Sequence, residues 1–426
     1  MFCECRCQVK LAWKGTVCDT VAIMRTVEDT RGIPFTVNDS EELEDFYRVI
    51  DAYLISKKDT MDLLDTMLER EEPMPMAICF RGYLVKMGSD PRLNPGIERC
   101  LAQLRSAELN DRERVHVEAL QAWSDNQNEV AIRRLEDHLD DYPLDLIALR
   151  VVHHLHFYTG DAKALDKSVE SRLGHWSEDD SYYGYLLGMH SFGLEESAEY
   201  REAEIVGRRA CELNPKDVWA GHAMAHVFQM QGRWLDGIDW MDKMFPHWKD
   251  GNNFLFHMHW HKALYHYGRA EFDVVMSIYD EHLSPALDDD FYLDTCNAAS
   301  LLWRLNMKGV EISDRWQHLY DLSKHRVEDD ELVFCTLHYL MAPAVVNDQA
   351  TIDKSLKHFE DWRQRSTSQG QVANLVGAGL AQAIVDLAAG DNDRGVATLA
   401  RLRGDVKKIG GSWAQRQLFK DLQAYY

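Results

Sequence analysis

From residue 40 onward, apolar positions recur at intervals of three and four, the spacing of one face of an α-helix. The first such stretch begins at Ser40, whose side chain can cap a helix N-terminus, and Glu41 and Glu42 place acidic groups in its first turn. Its apolar positions are Leu43, Phe46, Val49, Ile50 and Tyr53. Alternating strand patterns bounded by Asn-Gly or Asp-Gly turns are absent over any useful length. The pattern predicts an almost entirely α-helical protein.

The helical stretches are predicted to recur as pairs, because residues suited to helix contacts and turns repeat with spacings of seven and then five. The sets are Ala131, His138 and Pro143, then Ala203, Ala210 and Pro215, then Gly237, Met244 and Lys249, the last two sets lying 34 residues apart. Thirty-four residues is the tetratricopeptide period. Turn glycines are expected at Gly160, Gly232, Gly268 and Gly390. We therefore predict an all-α fold, an irregular tetratricopeptide-type α-solenoid of stacked antiparallel helix hairpins.

The 426 residues are expected to divide into four segments. Residues 1–29 are interpreted as a poorly structured leader, with Met24 as an alternative start, and residues 30–110 as an N-terminal helical cap. Residues 111–308 carry the predicted repeats and a histidine-lined groove, and residues 309–426 are predicted to form C-terminal helical repeats or a cap.

The charge balance narrows the classes of partner. Lys and Arg total 47 against 70 Asp and Glu, a formal net charge of -23. So acidic a surface repels the phosphates that nucleic-acid-binding proteins neutralise, and it fits anionic membranes equally poorly. Nine cysteines in a long chain do not resemble a disulfide framework, so we expect a cytoplasmic protein. The expected partner is a small molecule or short peptide, with a homo-oligomer left open.

Two histidine pairs are the main candidates for chemistry. His222 and His226 lie in WAGHAMAHVFQM, and His257 and His261 lie in FLFHMHWHKALY. Residues four apart share a helix face, so two stacked helices would bring four imidazoles together. Neutral imidazole nitrogens bind Zn²⁺ at about 2.0–2.1 Å, which makes a divalent metal such as zinc a possible cofactor. The general base of the HExxH motif is missing, because Ala223 stands in its place.

Further histidines are predicted on the first helices of other hairpins. These are His116, His153 and His190. The first helices of a tetratricopeptide array line its concave face. We therefore expect the imidazole rings of these histidines to form a row along the inner groove. Trp219 and Trp260 share helices with the histidine pairs and are candidates to wall a pocket. The alternative for each residue is ordinary packing in the core.

A glycine-rich segment near the C-terminus forms a further motif. Gly410 and Gly411 precede Ser412, which is predicted to cap a helix that contains Gln415 and Arg416 in its first turns. Such an entry to a helix can also hold an anion.

These residues together resemble the tetratricopeptide repeat protein 38 family over nearly the whole chain after about residue 30. The matching stretches are RERVH at 112–116, SFGL at 191–194, NP at 214–215, His222 with AH at 225–226, His257 with WHKALY at 260–265, DRW at 314–316, His338 with LM at 340–341, and GGS at 410–412 with AQR at 414–416. The resemblance implies a tetratricopeptide-type solenoid and carries over no catalytic residue.

Three functions follow from this pattern. The first is a repeat protein that binds a small molecule or short peptide in a concave groove lined by histidines and aromatic residues. The second is a hydrolase or lyase that uses the histidine pairs as metal ligands or as general acid and base. The third is a non-catalytic scaffold for protein interactions.

Overall fold

The computed structural model describes residues 24–426, so residues 1–23 of the predicted leader lie outside it. The rest of that leader is ordered. Strand β1 (Arg25–Glu28) pairs antiparallel with β2 (Pro34–Val37), which buries Phe35 and Val37 against the first helix. The prediction of an unstructured segment up to residue 29 is wrong here, because a four-residue strand is too short to reveal its period in the sequence.

Helices form nearly all of the regular secondary structure in the described chain, and the all-α prediction is confirmed. They are α1 (Ser40–Leu54), α2 (Thr60–Met67), α3 (Pro75–Met87), α4 (Asn94–Leu104), α5 (Asp111–Ser124), α6 (Asn128–Asp141), α7 (Leu146–Thr159), α8 (Ala162–Leu173), α9 (Tyr183–Glu196), α10 (Tyr200–Leu213), α11 (Val218–Met230), α12 (Trp234–Met244), α13 (Phe254–Gly268), α14 (Phe272–Ile278), α15 (Ser284–Ala286), α16 (Tyr292–Met307), α17 (Ser313–Ser323), α18 (Val333–Val345), α19 (Gln349–Trp362), α20 (Ser368–Val372), α21 (Ala378–Ala388), α22 (Asn392–Leu402) and α23 (Trp413–Tyr425). Two π-helical turns, Tyr279–Leu283 and Ala373–Gly377, follow α14 and α20.

Successive helices pack as antiparallel pairs, which confirms the helical-repeat architecture. The small residues of the predicted repeat lie where helices touch: Ala203 and Ala210 are fully buried on α10, and Gly237 on α12 faces the ring of Tyr265. A hydrogen bond also repeats. Trp176 Nε1 donates to the carbonyl of Pro143, and Trp248 Nε1 donates to that of Pro215, each at 3.1 Å.

Three of the four predicted turn glycines adopt the left-handed backbone that favours glycine. Gly160, Gly232 and Gly390 have φ of 66°, 67° and 82°. Gly268 does not, because α13 continues through it and the left-handed position falls on Ala270 at φ 58°. Gly268 instead lies against the indole of Trp234. A glycine is therefore needed there because a side chain would not fit, and not because of the backbone conformation.

The helices close on themselves around a central cavity. Helix α23 contacts α11 and α16, and the 3₁₀ turn Val406–Ile409 contacts α7. On the other side, Lys86 forms an ion pair with Glu331, and Arg326 lies 3.3 Å from Asp90. Residues far apart in the sequence therefore meet, and the concave face becomes a cavity of about 480 Å³.

One helical run, Ser368–Ala388, is long and apolar enough to cross a membrane by length and composition alone. Half of its most apolar window is buried inside the protein, with Leu380, Ala381 and Ile384 packed in the core. The run therefore has the character of a core helix.

Gly221 on α11, next to His222, provides a test of close packing. A Cβ atom there would lie 2.2 Å from Cζ2 of Trp248, whose indole is buried and anchored to Pro215. We expect Gly221→Ala to destabilise the protein by about 1–3 kcal/mol through overpacking, despite the better helix propensity of alanine. Chemical denaturation measures this. Gly174→Ala is the matched control, because its Cβ meets open space and its φ is -66°, and its stability should stay near wild type.

Candidate metal centre and central cavity

The four paired histidines converge on one point. Helices α11 and α13 pack together, and their i,i+4 pairs face each other across the contact. His222 Nε2 lies 2.8 Å from His226 Nε2 and 2.9 Å from His257 Nε2, and His261 Nε2 lies 3.2 Å from His257 Nε2. The rings are between 0 and 3% exposed. The spatial convergence that the sequence suggested is therefore present in the structure.

Hydrogen bonds on the far side of the rings fix the orientation of three imidazoles. Nδ1 of His226 lies 3.1 Å from Glu195 Oε2, Nδ1 of His257 lies 3.0 Å from Asn297 Oδ1, and Nδ1 of His261 lies 3.2 Å from Gln229 Oε1. In the tautomer that donates from Nδ1 to each of these oxygens, Nε2 presents a lone pair to the centre. Metal-bound histidines are held in this way, by a carboxylate or carbonyl on the second nitrogen.

These lone pairs cannot satisfy one another. A proton on His222 Nε2 could bridge to one neighbour, but His257 and His261 then still face each other as two acceptors 3.2 Å apart. A cation at the centre resolves the conflict. Ligand bonds of about 2.0–2.1 Å, at angles between a right angle and the tetrahedral angle, place neighbouring nitrogens about 2.9–3.4 Å apart, which agrees with the observed separations.

Burial keeps all four rings in the neutral form that binds metals. Desolvation lowers the pKa of His226 to about 4 and that of His257 to about 3. It also lowers the pKa of His222 and His261 well below the ordinary value, with a further contribution from the neighbouring imidazoles. Neutral imidazole is the ligand form, so no deprotonation is needed near neutral pH.

Two buried glutamates and one arginine form the next layer. Glu195 contacts His226, and Glu196 Oε1 lies 3.8 Å from the same ring nitrogen. Arg416 Nη2 donates to Glu196 Oε2 at 3.1 Å. Burial raises the pKa of Glu195 to about 8 and that of Glu196 to about 7, while Arg416 opposes both shifts. Two carboxylates share one guanidinium, so the layer carries an excess of negative charge when ionised, and a central cation compensates it.

The central cavity opens directly onto two of the histidines. His222 and His257 form part of its wall, next to the ring of Phe254, whose centroid lies 5.0 Å from that of His222. Helices from all parts of the chain contribute. The other lining residues are Tyr53, Thr60, Met61, Leu84, Met87, Gly88, His154, Phe157, Tyr158, Trp219, Asn252, Asn253, Asp289, Phe291, Tyr292, Leu293, Leu332, Phe334, Gly411 and Gln415. The described residues of this wall are mostly aromatic and aliphatic and include no Lys or Arg, so the cavity suits an apolar molecule with few polar groups.

The structure places Trp219 and Trp260 differently. Trp219 lines the cavity and stacks on Phe254 with their centroids 5.7 Å apart. Trp260 is fully buried, donates from Nε1 to Ser300 Oγ at 3.1 Å and stacks on His257 from behind. It supports a candidate ligand instead of walling a pocket.

The other predicted histidines do not join the centre, and the expected row of imidazoles along the groove is not observed. His116 Nε2 lies 3.0 Å from Asp145 Oδ2, in a buried cluster with His138 and Arg112. Arg112 Nε donates to the same Asp145 oxygen that both histidines contact, so a cation already compensates this carboxylate. His153 is buried without a polar partner among the described residues and packs between Phe192 and Trp219, and His190 binds Asp166 at 2.9 Å. His154, one position along from His153, reaches the cavity instead.

The glycine-rich C-terminal motif belongs to the same site. Ser412 caps α23 as predicted, since Gln415 N donates to Ser412 Oγ and Ser412 N donates to Gln415 Oε1. The helix N-terminus also holds an anion, which is the protein's own Glu196: Trp413 N donates to its Oε1 at 2.8 Å. The predicted anion site is thus occupied by an internal carboxylate.

Sequence reasoning missed the residues that hold the imidazoles in place. These are Glu195, Glu196, Gln229 and Asn297. Only Gln229 had a local signal, because it lies on α11 one turn after His226. No family model matches this chain.

Proposed function

We propose that the four histidines bind one divalent transition metal at the wall of the central cavity, and that the protein binds an apolar small molecule there. The observation that carries the proposal is the convergence of four Nε2 atoms, three of them turned inward by acceptors on Nδ1. This is the arrangement in which metal-bound histidines are held, with an acceptor on the second ring nitrogen.

The donor set indicates the class of metal. Imidazole nitrogens suit Zn²⁺, Cu²⁺, Fe²⁺ and Ni²⁺, whereas Mg²⁺ and Ca²⁺ require oxygen ligands. Glu195, behind His226, raises the basicity of that ring and strengthens its bond to a metal. We propose zinc or another borderline divalent ion.

The cavity indicates the class of ligand. A volume of about 480 Å³ lies in the range of small-molecule sites. Among the described residues that line it, the only carboxylate is that of Asp289, which accepts from Asn253 Nδ2 at 3.0 Å, so the wall carries one negative charge and no positive one. A neutral, largely aromatic or aliphatic molecule with one oxygen or nitrogen directed at His222 and His257 fits best. A pocket of this size and lining gives less support to a short peptide or to a scaffold for protein partners.

An enzymatic role is the second candidate, because His222 and His257 border the cavity and a ligand can therefore approach the metal. A bound divalent ion supplies a Lewis acid that polarises a carbonyl or similar group. The aromatic wall would orient the substrate and exclude water around it. A hydrolase or lyase is the corresponding reaction class.

We also propose membership of the tetratricopeptide repeat protein 38 family. The support is that matching stretches distant in the sequence meet at one place. His222 and His226, His257 and His261, and the 410–416 motif all contribute to the centre or to its outer layer.

Metal content tests the proposal. Protein purified without an affinity tag is expected to hold about one equivalent of a divalent transition metal per chain, and chelation is expected to lower Tm, since bound metal stabilises the native state by about 2.7 kcal/mol at a hundredfold excess over Kd. His226→Ala/His261→Ala should weaken binding by about 100-fold or more. Elemental analysis and titration calorimetry measure both effects.

His190→Ala is the matched control, because it removes a histidine whose ring hydrogen-bonds only to Asp166 among the described residues. Its metal content should equal that of wild type. Wild-type protein that takes up no Zn²⁺, Co²⁺ or Ni²⁺ after chelation and reloading would refute the metal site.

A further inference from the structure

A second cavity lies against the outer side of α23. It has a volume of about 230 Å³ and is lined by Leu399, Arg403, Gly404, Val406, Lys407, Trp413, Arg416, Phe419, Lys420 and Gln423. An adjoining hollow shares Arg403 and Lys420 with it. We call this the basic pocket. Gly411 and Gln415 line the central cavity, so the segment 411–416 separates the two spaces.

The charge of the basic pocket is opposite to that of the protein. The whole chain carries a net charge of -23, yet the part of the chain that the structure describes lines this cavity with four cations and no carboxylate. Arg416 is paired with Glu196, but Arg403, Lys407 and Lys420 form no ion pair with any described residue. Three uncompensated positive charges around one hollow attract an anion, and a dianion more strongly than a monoanion.

Apart from Gln423, the remaining side chains of the wall are apolar. They are those of Leu399, Val406, Trp413 and Phe419, and Lys420 Nζ lies 4.5 Å from the centroid of the Trp413 ring. The aromatic ring therefore holds this ammonium group at the cavity instead of leaving it free in solvent. An inorganic ion would use the cations only, whereas an organic anion would also bury its carbon atoms against the apolar wall.

We propose that the basic pocket binds a phosphate monoester of a small apolar group. A phosphate monoester carries a charge of about -1.5 to -2 near neutral pH and three acceptor oxygens, which match the three free cations. Arg403 binds two of these oxygens, and Lys407 and Lys420 contribute point charges. The inference is independent of the metal centre, because none of these three residues contacts the four histidines or their partners.

Phenyl phosphate, inorganic phosphate and benzoate are the probes, titrated at low and high salt by calorimetry. Phenyl phosphate is expected to bind at one site and more tightly than either of the others, and its affinity should fall as salt rises. Arg403→Gln and Lys420→Gln are each expected to weaken it about tenfold or more. Circular dichroism and Tm should stay at wild-type values, since both side chains are exposed.

Arg401→Gln is the matched control, because Arg401 is an exposed cation on the same helix and does not line the pocket. Unchanged phenyl phosphate affinity in both Arg403→Gln and Lys420→Gln would overturn the site. Equal affinity for inorganic phosphate would overturn the role of the apolar wall, and equal affinity for benzoate would overturn the preference for a dianion.

Discussion

Replacing Arg416 with leucine is expected to destabilise the protein by about 3–5 kcal/mol. The guanidinium is 6% exposed and is the cation that compensates the buried carboxylates Glu195 and Glu196. Above about pH 8, where both carboxyl groups are ionised, removing Arg416 leaves an uncompensated charge in a medium that solvates it poorly, and this penalty exceeds the loss of the hydrogen bond alone. The full loss of stability is therefore expected in that pH range. Denaturation with guanidinium chloride, with and without added Zn²⁺, measures the change.

The double variant Glu196→Gln/Arg416→Leu separates charge from packing. It removes both members of the pair, so it should recover a large part of the lost stability. Arg403→Leu is the surface control, because it deletes an exposed arginine that forms no ion pair with a described residue, and its stability should change by less than about 0.5 kcal/mol. A loss below about 1 kcal/mol for Arg416→Leu would contradict the proposed compensation of charge.

Replacing Arg112 with methionine is expected to cost about 3–5 kcal/mol as well, for the same reason at a different place. Arg112 Nε lies 2.5 Å from Asp145 Oδ2 and Nη2 lies 3.2 Å from Oδ1, and both side chains are 1% exposed. Asp145 additionally caps α7 and accepts from His116 and His138. Arg114→Met is the control, because Arg114 is exposed and, within residues 24–426, forms an ion pair only with the exposed Asp111.

The network of Arg112, Asp145, His116 and His138 is expected to make the free energy of unfolding depend on pH. Arg112 and the two histidines hold the pKa of Asp145 well below its ordinary value, although burial alone would raise it. A carboxyl group with a depressed folded-state pKa stabilises the native protein above its unfolded pKa of about 3.9, and that contribution is lost as pH falls towards the folded pKa. Wild type should therefore lose stability below about pH 4, and Arg112→Met should show a weaker acid dependence of the unfolding free energy. Parallel curves for the two proteins would contradict the assignment.

Much of the fold follows from the sequence, because helical period and repeat spacing are local properties. The 34-residue repeat spacing predicted Ala203, Ala210 and Gly237 at helix contacts, and the structure has them there. The error at Gly268 has a physical cause. Glycine satisfies both a left-handed turn and a close approach, and here the indole of Trp234 required the second.

The site was only partly predictable, because some of its residues form local sequence patterns and others do not. The i,i+4 pairs His222 and His226, and His257 and His261, are local patterns, and their convergence needed only that α11 and α13 pack together. Asn297 and Glu196 reach the site from other helices, so no spacing in the sequence reveals them. The sequence pattern predicted His153 for the groove, but His154 lines the cavity and His153 is buried. The helical period does not determine the orientation of a side chain to within one residue.

The contact of α23 with α11 and α16 limits the insertion or deletion of helix hairpins in this chain. Open arrays tolerate the gain or loss of whole units, because each unit touches only its neighbours. In this molecule the last helix returns to the middle of the chain, so inserting or deleting one hairpin would misalign the closing surfaces on both sides. The number of hairpins is therefore fixed by ring closure, and heat should melt the first and last helices together in a single transition.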